Sequence, residues 1–270
     1  MKKAPLFVLA VCLLFVDCTR VPFTGRKQLK LLPSGMLVSM GADNYRQFLA
    51  THQVVRGTPD ADMIQRVGKR ISESTMRLLN QIGQKKLAQE FKWEFNLIRD
   101  NVANAWCMPG GKVVFYTGIL PITQDENGVA VVMGHEIAHA VARHGNERMS
   151  QALAQVVGLV ALDVALREKP EETRNLFLAA YGVGTTVGIM LPFSRKHESE
   201  GDEIGLYLMA AAGYDPREAP KFWERMKRMS SGSVPEFLST HPSHQTRIND
   251  LNQKYMPRAL KYYAQSQTRP

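Results

Sequence analysis

Two histidines and a glutamate interrupt an otherwise apolar run, "VVMGHEIAHAVARH", at residues 131–144. Val131, Val132, Ile137, Ala138 and Val141 recur at the spacing of a buried helix. Ionisable groups are costly in such a helix unless a partner compensates them. Any fold this chain adopts must deliver that partner.

His135 and His139 stand four apart, so their rings share one helix face with Cβ atoms about 6 Å apart. Two imidazoles so placed can reach one metal ion, and Glu136 lies beside that ion's open side. This is the H-E-x-x-H arrangement of zinc peptidases. The competing reading, two separately satisfied core histidines, needs two separate hydrogen-bond partners. A catalytic zinc needs a third protein ligand and one open position. The candidates are His144, His197, Glu198, Glu200, Asp202, His241 and His244. Glu198 and Asp202 are four apart on a predicted helix in "HESEGDEIG". One can ligate while the other accepts the N–H of a ligand histidine. Glu200 and Glu203 are read as the exposed acidic face of that helix.

The N-terminus has Lys2 and Lys3, then an apolar stretch over 6–16, then Cys18. That reads as a signal peptide over 1–17, too short for a comfortable span, with Cys18 as the lipidated residue. Phe15, Val16 and Asp17 depart from the leucine and two small residues usual before such a cysteine, Asp17 most of all. Residues 18–33, punctuated by Pro and Gly, read as a lipidated cysteine and an extended tether. The remaining domain is 34–270. Helical spacing is expected over 34–52, 58–82 and 196–212, and from Asp125 through the histidines. "KWEFNLIRD" alternates as a half-buried strand, and two short strands flank Pro109-Gly110-Gly111. Two apolar segments, 152–166 and 176–193, read as buried or membrane-facing helices rather than spans. The fold class is α+β, mostly α-helical, with one small sheet. The formal charge of +9 is compatible with an anionic membrane, while the absence of basic blocks interleaved with aromatics argues against nucleic acid.

The chain resembles the HtpX-like, CAAX-prenyl-protease-type zinc metallopeptidases, and within them the short exported lipoproteins of the LoiP kind. The stretches that carry this are "PFTGRKQL", "NAWCMPGGKVVFYTGIL", "MGHEIAHAVARHG", "LPFSRKHESEGDEIGLYLMAAAGYDP", "FWERM" and "STHPSHQTRI". The resemblance implies a zincin-like (gluzincin) domain with a small sheet beside the H-E-x-x-H helix. It implies one zinc per chain on His135, His139 and Glu198, with Asp202 behind a ligand. It gives His241 and Arg247 a role at the oxyanion, or His241 that of a latch over the zinc. It makes Val113, Val114, Phe115 and Tyr116 an edge strand to which substrate adds.

The expected activity is hydrolysis of peptide bonds in unfolded or misassembled envelope proteins, with Glu136 as general base. The alternative is a latent-protease chaperone or assembly factor gated by His241, with the Gly-rich segment 182–188 as a lid. A lipid-anchored module with a purely structural zinc is weaker, because structural sites are closed. The expected place is the periplasm, lipid-anchored to the outer membrane of a Gram-negative bacterium. The partners implied are polypeptide substrates and outer-membrane assembly machinery.

Overall fold

The computed structural model describes residues 17–169, 171–185, 191–229, 235–241 and 245–268. The leader expected over 1–17 falls almost wholly outside them, as do the Cys18 side chain, His244 and residues 186–190 of the glycine-rich segment.

Residues 18–33 are not an extended tether. Strands β1 (Asp17–Arg20) and β2 (Lys27–Lys30) pair antiparallel, with Cys18 opposite Leu29. The turn closes because Gly25 takes φ +71°, a region open to glycine without a Cβ penalty. Val21 N–H then reaches the Arg26 carbonyl at 2.8 Å. Gln28 Nε2 donates to the Ala142 carbonyl at 2.8 Å and Arg26 to Glu147 and Glu200, so the hairpin is held down by polar side chains.

The hairpin is followed by α1 (Ser34–Thr51), β3 (Val54–Val55) and α2 (Pro59–Gln81). The α2 start follows from its sequence: the Thr58 hydroxyl caps Ala61 N–H, Pro59 opens the first turn, and Asp60 and Asp62 face the positive helix end. Ile64, Val67, Ile71, Leu78 and Leu79 line its buried face. Short α3 (Lys85–Gln89) leads into β4 (Glu94–Ile98), β5 (Ala105–Met108) and β6 (Lys112–Tyr116).

The sheet order is β3-β4-β6-β5, with β4 and β6 parallel and the other pairs antiparallel. This overturns the expectation that Val113, Val114, Phe115 and Tyr116 form the edge. Strand β6 has neighbours on both sides, and Val113, Val114 and Phe115 are fully buried. The tight turn at 109–111 folds β5 over one side of β6, and β4 takes the other. The edge is β5.

After α4 (Leu120–Thr123), Asp125 caps α5 (Glu126–Val141) through Gly128 N–H at 2.9 Å. Helix α5 is buried almost all round, as a helix apolar on every face must be. Next come α6 (His144–Ala165), α7 (Glu171–Thr185) and α8 (Leu191–Ala211). Beyond its first turns α6 exposes Leu153, Val156, Val160 and Val164, and α7 exposes Phe177. Among the described residues no helix is long and apolar enough to cross a membrane. The chain closes with α9 (Glu218–Met229), α10 (Glu236–Thr240), α11 (Gln245–Asp250), a π turn and α12 (Met256–Gln267). The fold is mostly helical with small sheets, as expected of a zincin-like domain.

Candidate metal centre

Helix α8 crosses α5 where two glycines meet. A Cβ on Gly134 would lie 2.7 Å from the Gly205 carbonyl oxygen, and one on Gly205 would lie 2.8 Å from His135 N. Only glycine permits that approach, and it sets Glu198 and Asp202 of α8 against His135 and His139 of α5. A Cβ at Gly201 would stand 3.0 Å from His135 Cε1 and His139 Nε2, so the crossing stays tight up to the rings themselves.

Four side chains converge there. His135, His139, Glu198 and His241 each turn one donor atom inward, all within 4.8 Å of one another and all buried. His139 Nε2 is 3.0 Å from His135 Nε2, and His135 Nε2 is 3.2 Å from His241 Nδ1. Glu198 Oε2 is 2.9 Å from His241 Nδ1 and 3.3 Å from His135 Nε2. Three ring nitrogens facing one another beside a carboxylate need positive charge between them. Burial opposes charge on His135, yet the adjoining Asp202 and Glu198 carboxylates outweigh it and raise its pKa to about 9. Burial, with the raised His135 beside it, drives His139 well below the usual imidazole value despite Glu198. Burial alone would raise Glu198, but His139, His135 and His241 hold it well below the carboxylate range. Two imidazoles and an ionised carboxylate suit a divalent cation with nitrogen and oxygen ligands, so the donor set fits zinc.

Glu136 adjoins the cluster. It is 3 % exposed, with Oε1 3.3 Å from His241 Nε2. Burial pushes its carboxyl upward in spite of His241 and His135. Behind the cluster, His135 Nδ1 is 3.2 Å from Asp202 Oδ1. Arg247 grips Asp202 with two bonds of 2.6 and 2.8 Å, and its guanidinium lies 3.9 Å from the centroid of the buried Trp223 ring. Arg247 Nη1 also lies 3.3 Å from Glu198. Its fork is thus directed at the carboxylates.

Of the remaining third-ligand candidates, His144 and His197 sit outside the cluster. Helix α5 ends at Val141, and Arg143 takes the left-handed conformation at φ 55°. That reversal restarts the chain as α6 and turns His144 back, so that its Nδ1 lies 2.7 Å from His139 Nδ1. His197 Nε2 reaches Glu147 at 2.9 Å. Glu200, expected on the exposed face, is 6 % exposed and pairs with His144 and Arg26. Glu203 is half-buried against the Tyr207 hydroxyl. An acid on a charged helix reads as solvated, and Glu200 is buried because His144 and Arg26 of the distant hairpin meet it. Sequence reasoning missed Arg26, Gln28 and Glu147 altogether. The one signal was that Arg26 and Gln28 fall in "PFTGRKQL", a stretch that carries the family resemblance, but as one of several basic residues in a segment read as a tether Arg26 drew no role.

Beside His139 lies a cleft of about 180 Å³, lined by Leu37 and Val38 of α1, Met108 of β5, Pro109, Phe91 and Arg148. The edge strand β5 therefore runs along an opening that reaches the cluster.

The profile of Peptidase family M48 matches residues 66–255. The mitochondrial metalloendopeptidase OMA1 of Schizosaccharomyces pombe is 40% identical over 187 residues, 68% of this chain and 52% of that protein. The mitochondrial metalloendopeptidase OMA1 of Homo sapiens is 33% identical over 180 residues, 64% of this chain and 34% of that protein. The beta-barrel assembly-enhancing protease of Escherichia coli is 30% identical over 167 residues, 60% of this chain and 34% of that protein. These matches span about half the length of the yeast relative and about a third of the other two.

Proposed function

Because the chain belongs to peptidase family M48, we propose that it is a zinc-dependent endopeptidase acting on unfolded or misassembled envelope proteins. One observation carries this: His135, His139 and Glu198 turn their donor atoms to one buried point with Glu136 at its side. A cation held by those three would supply Lewis acidity toward a carbonyl and an attacking water. Glu136 takes the proton of that water and delivers it to the leaving amine. Its upward-shifted carboxyl suits a group that must both accept and donate. His241 offers a ring N–H to the developing oxyanion once it turns away from Glu198. Arg247 is a positioning residue, since its fork holds Asp202. Substrate adds to β5, residues 105–108, as an extended strand, in place of the buried β6. Backbone pairing gives affinity with little sequence preference, which suits a quality-control protease.

The apolar leader and Cys18 support export and a lipid anchor, with the outer membrane of a Gram-negative cell as the place of action. The exposed apolar stripe of α6 is compatible with a membrane-side position. A relative named for enhancing β-barrel assembly supports outer-membrane assembly machinery as a partner.

A second reading has its own observation. His241 lies 2.9 Å from Glu198 and 3.3 Å from Glu136, in the space a substrate carbonyl would need. The resting enzyme is then latched, and an assembly role could operate without cleavage. The test is casein hydrolysis by the zinc-loaded protein beside Glu136→Gln and His241→Ala. Slow cleavage by wild type, faster cleavage by His241→Ala and none by Glu136→Gln is the expected pattern. Equal cleavage by Glu136→Gln would sink the peptidase mechanism. A Glu136→Gln variant that preserves cellular function would favour the assembly role.

A further inference from the structure

His139 presents Nε2 to the cluster, so its Nδ1 carries the proton and must donate it. The acceptor is His144 Nδ1 at 2.7 Å. The other nitrogen of His144 therefore bears a proton, which points at Glu200 Oε2 at 3.0 Å. Glu200 accepts in turn from Arg26 Nε at 3.0 Å and Nη2 at 2.8 Å, and from the Thr24 hydroxyl. Each link allows one direction of donation, and His144 and Glu200 are both buried. On the His135 side Asp202 Oδ1 stands 3.2 Å from Nδ1 and is itself held by Arg247. Each of the two histidines is thus backed by a carboxylate and an arginine, but this arginine comes from the N-terminal hairpin.

We propose that Arg26 is a positioning residue for the metal centre. Through Glu200 and His144 it fixes the ring of His139, so docking of residues 17–30 sets how tightly the cation binds. This rests on the reading of His135, His139 and Glu198 as metal ligands. The rival account is simple stapling, because Arg26 also forks onto Glu147 at 2.8 and 2.7 Å. The two arms separate the accounts. The Glu200 arm reaches His139 through directed hydrogen bonds, whereas the Glu147 arm reaches His197, whose ring only stacks on His144 with centroids 4.2 Å apart.

The experiment titrates the full-length protein with Co²⁺ and with Zn²⁺ under chelator competition, and records the visible Co²⁺ spectrum. Thermal unfolding of each metal-free variant checks folding. Arg26→Ala and Glu200→Gln are expected to weaken binding by about 10- to 100-fold and to alter the spectrum. Glu147→Gln is expected to weaken it less, and the Arg26→Ala/Glu200→Gln double variant no more than the weaker single. Wild-type affinity and spectrum in Arg26→Ala, or equal losses from the Glu147 and Glu200 variants, would overturn the proposal. If Arg26→Ala does not fold, the Glu200→Gln and Glu147→Gln pair decides alone. A wild-type protein that binds neither cation would remove the metal reading itself.

Discussion

Glu136 stands 3.3 Å from His241 and next in sequence to His135, yet it points no oxygen into the inward-facing cluster. Its chemistry is therefore separable from metal binding. Glu136→Gln should lower kcat by about 10²- to 10⁴-fold with zinc affinity unchanged. A parallel loss of zinc in that variant would show it to be a ligand. Asp202 has the opposite signature. It orients His135 and neutralises the buried Arg247, so Asp202→Asn should weaken zinc by about 10- to 100-fold. It should also cost about 3 kcal/mol of stability, because the buried guanidinium loses the carboxylate it grips with two bonds and keeps only Glu198 at 3.3 Å. Metal competition and urea unfolding read the two effects separately.

Two packing events between elements build the site. The first is the Gly134–Gly205 crossing of α5 and α8. A methyl group at Gly205 would meet backbone atoms at 2.8 and 2.9 Å, so the helices must part. Gly205→Ala should destabilise the protein by about 1–3 kcal/mol and lower zinc affinity, since Glu198 moves with α8. Unchanged denaturant midpoint and zinc binding would mean the crossing has slack. The second is the docked hairpin. Burial alone would raise Glu147 and Glu200, yet bonds from Arg26 and His197, and from His144 and Arg26, hold both at about 2. A depressed carboxyl stabilises the fold above its unfolded value of 4.5, and the contribution fades as pH falls toward about 2. Acid titration of wild type should lose stability between those values. In Arg26→Ala that acid-dependent portion should be smaller, because the partner that depresses both carboxyls is gone. Scanning calorimetry at pH 6, 4 and 3 gives the comparison.

Taken whole, the molecule closes its candidate centre with pieces from widely separated sequence: α5, α8, the segment carrying His241, Arg247 of α11, and Arg26 of the hairpin. A cation that bridges α5 and α8 should stabilise all of them together. Free zinc at 100 times its dissociation constant should add about 2.7 kcal/mol to unfolding, visible as a raised Tm that a chelator reverses. A Tm indifferent to zinc and chelator would mean that the folded form gains nothing from the cation.

Residues 131–144 determined locally that α5 is a buried helix with two histidines on one face, because helical period and four-residue spacing are properties of adjacent residues. The Thr58-Pro59 start of α2 and the turn at 109–111 were legible for the same reason. Glu198 and Asp202 were legible as a pair, and their family motif named them. The edge of the sheet was not, because β6 becomes internal only through pairing with β4, which lies before β5 in the chain. Nor were Glu200, buried against Arg26, and Arg26 itself, which pair across 174 residues. Long-range charge pairing leaves no periodic trace in sequence. Whether a charged side chain is solvated or buried was decided only when tertiary structure brought its counter-charge into contact.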